Sequence, residues 1–146
     1  MLFNPEAPNG LLLYNDRLVN GSLEQFVALI LRNGFVEFRF GLVSAPAVIR
    51  SAQELSLNEW HTVMVSRDGF QGTLKIDNEA MVIDSAKGSG LELELNQRML
   101  IGDMPEIKPV AKLIGSSKGF KGCVSFLAVD GKAINLGEFF LFVILY

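Results

Sequence analysis

The chain holds one histidine, one cysteine and sixteen carboxylates among 146 residues, so the range of side-chain chemistry open to it is narrow. His61 follows Trp60 at the start of a predicted strand. As a general base it would need a nucleophile and an orienting carboxylate, and the linear sequence identifies neither. The simpler reading is a partly buried strand residue that supports a sheet edge. Glu92 and Glu94 share one face of the alternating stretch Leu91-Glu92-Leu93-Glu94-Leu95, with Glu37 the one other strand carboxylate able to join them. Paired carboxylates are what a polysaccharide-cleaving site requires. Projection of both into a deep cleft would support hydrolysis, and projection into open solvent would end that reading. Asp68-Gly69 and Asp130-Gly131 are turn formers, not acid–base pairs. Gly119-Phe120-Lys121-Gly122 lacks the spacing and the following Ser/Thr of a phosphate loop. A single Cys and a single His exclude a Cys/His zinc site.

Three further features concern binding and modification. Asn20-Gly21-Ser22 is an N-glycosylation sequon in a predicted loop. Lys108, Lys112, Lys118, Lys121 and Lys132 fall in one stretch with a single carboxylate, Asp130, so that stretch is net +4 and the rest of the chain −7. Such a basic patch would attract sulfated or acidic glycans; the alternative is solvated lysines scattered over loops and strand faces. Cys123 has no second cysteine to pair with. Its apolar strand neighbours Val124, Phe126 and Leu127 predict a buried thiol that is slow to react.

The elements that must position these residues read as strands almost throughout. Asn33-Gly34 between Phe26–Arg32 and Phe35–Phe40 is the strongest hairpin signal. In the second arm, Val36, Phe38 and Phe40 alternate with Glu37 and Arg39, which predicts one buried and one polar face. Further strands are predicted at Leu11–Tyr14, Ala47–Arg50, Trp60–Ser66, Thr73–Ile76, Met81–Ile83, Leu91–Leu95, Met99–Ile101, Cys123–Val129 and Lys132–Leu136. Helical signals are thin, so an all-β antiparallel two-sheet sandwich is expected, in one domain over residues 1–136. An apolar fraction of 49% with 20% charged residues excludes a disordered chain. A net charge of −3 argues against a nucleic-acid binder. The longest apolar run, Phe139–Tyr146, is eight residues, short of the roughly 20 that span a bilayer. That tail lacks alternation and is expected to be either a buried strand or an exposed sticky patch. Nothing near Met1 has the pattern of a signal peptide.

An ordered series of segments carries a resemblance. Pro8-Asn9-Gly10-Leu11-Leu12-Leu13-Tyr14, Phe26-Val27-Ala28-Leu29, Val36-Glu37-Phe38-Arg39-Phe40, Pro46-Ala47-Val48-Ile49-Arg50-Ser51, Leu57-Asn58-Glu59-Trp60-His61, Leu100-Ile101-Gly102 and Gly119-Phe120-Lys121-Gly122-Cys123-Val124 resemble a laminin G-like domain. The flavour is that of the domains in basement-membrane heparan sulfate proteoglycans. The resemblance implies a jelly-roll sandwich in a longer secreted chain. It also implies non-catalytic binding, through rim loops, of heparin, dystroglycan-type glycans or matrix and cell-surface proteins. The alternative is a lectin- or pentraxin-like sandwich that holds a small sugar or lipid. In the family the cysteine matching Cys123 is usually bridged to a second one near the domain's end, which this chain lacks; a truncated or alternatively spliced product fits that departure. Family members that bind calcium use two side chains and two backbone carbonyls at the rim. Here those positions fall on Gln25 and Glu94, with carbonyls near Leu42 and Glu92. Gln25 stands where the family commonly has Asp, so one charged ligand is missing and a weakened calcium site is expected.

Overall fold

The computed structural model describes residues 1–86, 92–95, 98–105 and 108–136, with the backbone alone of residues 108 and 109. The tail Phe139–Tyr146 and residue Leu91 therefore lie outside the described residues. In chain order the strands are β1 (Leu2–Pro5), β2 (Gly10–Val19), β3 (Ser22–Arg32), β4 (Phe35–Leu42), β5 (Ala47–Arg50) and β6 (His61–Asp68). There follow β7 (Gln71–Ile76), β8 (Val82–Ser85), β9 (Leu100–Ile101), the helix α1 (Lys108–Ile114), β10 (Gly122–Phe126), β11 (Ala128–Val129) and β12 (Lys132–Ala133). Two five-stranded antiparallel sheets result, ordered β10-β1-β6-β7-β8 and β5-β4-β3-β2-β9, beside a small β11-β12 hairpin. This is the predicted all-β jelly-roll sandwich.

Turn chemistry sets the hairpins. Asn20-Gly21, Asn33-Gly34 and Asp130-Gly131 each have positive φ at both residues, for example 52° and 83° at Asn33 and Gly34. Two-residue turns of that hand match the twist of the strands they join. Alternation then divides the side chains. Leu29 and Leu31 of β3, Val36, Phe38 and Phe40 of β4, and Val63, Leu74 and Ile76 of the facing sheet fill the core between the sheets. Phe26, Ala28 and Ile30 point the other way, into a second cluster with Tyr14, Val110 and Ile114.

That second cluster corrects two expectations. A helix is present: α1 lies on the outer face of the second sheet, with Val110 and Ile114, four residues apart, both fully buried. Because α1 covers that face, Glu37 and Arg39 are buried as well instead of lining a solvated face. Arg39 donates through Nε to Glu37 Oε2 (2.9 Å) and through Nη1 to the carbonyl of Leu113 at the end of α1 (2.9 Å). The buried ion pair thereby ties the helix to the sheet.

Other differences are local. Leu2–Pro5 forms a strand that the sequence reading left out; it pairs with both β10 and β6. Glu92–Leu95 alternates without being a strand. The predicted strand Cys123–Val129 breaks at Leu127 into β10 and β11. Cys123 is a free thiol, half-buried instead of buried, since β10 turns its alternate side chains away from the core. Gly122 next to it has φ 144°, and a Cβ there would stand 2.1 Å from the carbonyl oxygen of Asn4, so only glycine allows β1 and β10 to meet.

Glu37→Ala is expected to cost about 3–5 kcal/mol in chemical denaturation, because it leaves the Arg39 guanidinium buried without its carboxylate. Replacing Glu37 and Arg39 together by Leu and Met should recover much of that loss.

Candidate functional site

The chemistry-bearing residues gather at three places. The first is the end of the sandwich that carries the Asn20-Gly21 turn. There Gln25 of β3 stands opposite Leu42 of β4 on one side and opposite Arg17 of β2 on the other. The segment 92–95 closes this end, packing Leu93 against the inter-sheet core. The Gln25 amide holds the segment by two bonds: Nε2 donates to the carbonyl of Glu92 (3.1 Å), and Oε1 accepts from the backbone N–H of Glu94 (3.0 Å). Glu94 in turn accepts from Arg17 Nη1 at 2.6 Å. The carbonyl of Leu42 accepts from the N–H of Ala45 (3.1 Å). All four residues singled out for a metal are thus brought to one rim, where Gln25 Oε1, Glu94 Oε2 and the carbonyls of Leu42 and Glu92 each accept a hydrogen bond from the chain itself. Among the described residues no three His, Cys, Asp or Glu side chains cluster as a metal site.

Sequence reasoning missed Arg17, because the local signal misplaces it. Counting outward from the Asn20-Gly21 turn places Arg17 opposite Glu24, but an irregularity between Arg17 and Leu18 shifts the partner to Gln25. Glu24 stays exposed, as strand alternation requires. Asn20 of the sequon is exposed at the tip of the same hairpin.

The second place is His61. Its Nδ1 meets Asp77 Oδ2 at 2.8 Å and its Nε2 meets the carbonyl oxygen of Ser56 at 2.8 Å. Both neighbours are pure acceptors, so both ring nitrogens carry hydrogen and the imidazolium is favoured. Burial pulls the histidine's pKa down, but the Asp77 carboxylate and the Ser56 carbonyl outweigh it, and the net shift is upward. A ring held this way is a structural brace of β6; Asp77 also accepts from the N–H of Thr62 (2.7 Å).

The third place is a cleft of about 440 Å³ at the opposite end of the sandwich, lined by Asn9, Asp103, Met104, Ser117, Lys118 and Lys121 among others. The backbones of both lysines are fixed, since the carbonyl of Lys118 accepts from Leu11 (3.0 Å) and that of Lys121 from Glu6 (2.9 Å). Asp103 Oδ1 accepts from the N–H of Met104 (2.8 Å). Of the predicted basic patch, then, Lys118 and Lys121 share a cleft, Lys112 is exposed on α1, and the Lys108 side chain lies outside the described residues. The carboxylate pair of Glu92 and Glu94 faces solvent instead of a cleft, and Glu37 is committed to Arg39. The geometry that a glycoside hydrolase needs is not formed by these three.

A family model described as the Laminin G domain matches residues 3–135. The chain belongs to the laminin G domain family. It is 34% identical over 139 residues to the mouse basement membrane-specific heparan sulfate proteoglycan core protein, covering 95% of this chain and 4% of that protein. It is 33% identical over 134 residues to human pikachurin, covering 92% of this chain and 13% of that protein. In fold it matches domains LG4-5 of the mouse laminin alpha1 chain with a TM-score of 0.77 at 20% identity, over 92% of this chain and 35% of that one. The laminin G domain described here therefore spans a small part of the length of its curated relatives. Those relatives are matrix and cell-surface proteins, which supports a non-catalytic binding module. No helix among the described residues is long and apolar enough to cross a membrane.

A histidine whose pKa is raised on folding stabilises most below its unfolded value of about 6.5 and loses that contribution as pH climbs through the folded value. The melting temperature should therefore fall as pH rises above about 6.5 relative to that of His61→Gln, which lacks the titration. Thermal melts of the two proteins across that range check it.

Proposed function

We propose that this laminin G domain is an extracellular, non-catalytic binding module that takes acidic glycans in the cleft between Asn9, Ser117, Lys118 and Lys121. The observation that carries the reading is the pair of lysines on fixed backbone at one concave surface. Loops at the end of a rigid sandwich are where such folds place recognition. Two ammonium groups with hydroxyl and amide neighbours suit the sulfates of heparin or the carboxylates of a dystroglycan-type glycan, and equally an acidic patch on a matrix or cell-surface protein. Asp103 tempers the charge, so the affinity is modest and salt-sensitive.

The runner-up, a lectin- or pentraxin-like site for a small neutral sugar or lipid, finds less support. Among the described residues the cleft lining includes no aromatic ring on which a sugar face could stack. The outer face of the second sheet is occupied by α1. In a secreted chain Asn20 would carry its glycan at the far end of the sandwich, leaving the lysine cleft open.

The test is binding to heparin and to a dystroglycan-type glycan. Lys118→Ala with Lys121→Ala should weaken affinity on the order of tenfold, about 1.4 kcal/mol, and elute from heparin at lower salt. Lys112→Ala should change little. Unaltered elution of the double variant overturns the cleft as the site.

A further inference from the structure

We propose that the Gln25 rim is closed by the chain's own groups in place of a metal ion, with the Arg17 guanidinium as its cation. The inference is independent of the lysine cleft, which lies at the other end of β2. Calcium takes six to eight oxygens and prefers charged ones. Of the two side chains placed there as ligands only Glu94 is a carboxylate, and the Arg17 guanidinium 2.6 Å away already balances its charge. A divalent ion on the same oxygen would sit against that guanidinium. The remaining oxygens are turned to other work. Gln25 Oε1 is aimed at the Glu94 N–H, and the Glu92 carbonyl receives the Gln25 Nε2–H. The Gln25 amide spans the gap between β3 and segment 92–95 as one more rung of backbone pairing, which an acceptor-only Asp could not do.

The two parts of the latch differ in weight. The Arg17 and Glu94 side chains are 32% and 63% exposed, so their attraction is screened by water and salt. The amide bonds act on backbone groups and hold the segment in register, with Leu93 inserted in the core. The rim therefore keeps its shape whether or not calcium is present, and recognition by loops at this end is calcium-independent.

Hydrogen exchange and calorimetry on the intact chain test this. The Glu94 amide should show equal protection with millimolar calcium and with a chelator, and calorimetry should detect no calcium binding. Gln25→Ala should speed exchange at Glu94 by about tenfold, since it removes the acceptor of that N–H. Arg17→Ser combined with Gln25→Asp removes the internal cation and restores a second carboxylate. It should acquire a calcium-dependent rise in melting temperature that the parent lacks. Calcium-enhanced protection in the parent, micromolar calcium binding by it, or Glu94 exchange unaffected by Gln25→Ala would each overturn the proposal.

Discussion

The register of one ladder, β2 against β3, governs where the groups of the Gln25 rim come to lie and which side chains fill each face of the second sheet. Its anchor is the Asn20-Gly21 turn, and its adjustable element is the irregularity between Arg17 and Leu18. With that irregularity Arg17 stands opposite Gln25; without it the opposite residue would be Glu24, and Arg17 would share the face of Glu24 instead of that of Gln25. A slip of one residue would also send Phe26, Ala28 and Ile30 toward the core and strand Leu29 and Leu31 under α1. Both faces of the second sheet are buried, so hydrophobic packing fixes the register from two sides. The rim inherits its precision from that core.

The same ladder separates the two candidate surfaces. From Gly10 to Arg17 the strand spans about 23 Å, so the lysine cleft and the Gln25 rim cannot serve one small ligand together. They are built differently. The cleft presents ammonium groups on fixed backbone, with little packing on their side chains. The rim spends its polar groups on one another. A module with one open, charged end and one closed, self-satisfied end has a direction, and the sequon lies at the closed end.

How much of this could be read from the residues depended on whether a signal was local. Asn33-Gly34 and Asp130-Gly131 announced their hairpins, because a dipeptide with positive φ is sufficient cause for the turn. The alternation in Phe35–Phe40 gave the inner face correctly, yet could not tell that Glu37 and Arg39 on the other face would be covered. That cover is α1, seven residues long and held by tertiary contacts of Val110 and Ile114 more than by its own propensity. Glu92–Leu95 shows the converse. Its alternation truthfully reports Leu93 inward and the glutamates outward, but periodicity records burial and not hydrogen bonding, and the partner here is the Gln25 side chain instead of a strand. Arg17 was hidden for a similar reason: only the ladder irregularity brings it to the rim.

The case for recognition over catalysis rests on the matrix and cell-surface relatives, and the residues singled out from the sequence agree with it in where their reactive groups are committed. A general base needs a free lone pair, and His61 is braced between a carboxylate and a carbonyl that favour its charged, fully protonated form. A carboxylate nucleophile or acid needs a cleft; Glu37 is buried on Arg39, Asp16 takes the Tyr14 hydroxyl at 2.7 Å, and Glu94 lies in solvent on Arg17. Asp103, which does line the lysine cleft, accepts from the N–H of Met104 and has no second carboxylate among the described lining residues. In each case but that of Asp103 the polar group stabilises the sheet, the helix or the rim, and substrate turnover would have to break that bond. Lys118 and Lys121 differ, because their backbones are anchored while their side chains are exposed along the cleft. Charge without an activated nucleophile attracts and holds an anion but does not transform it, and that is the chemistry of an adhesive module.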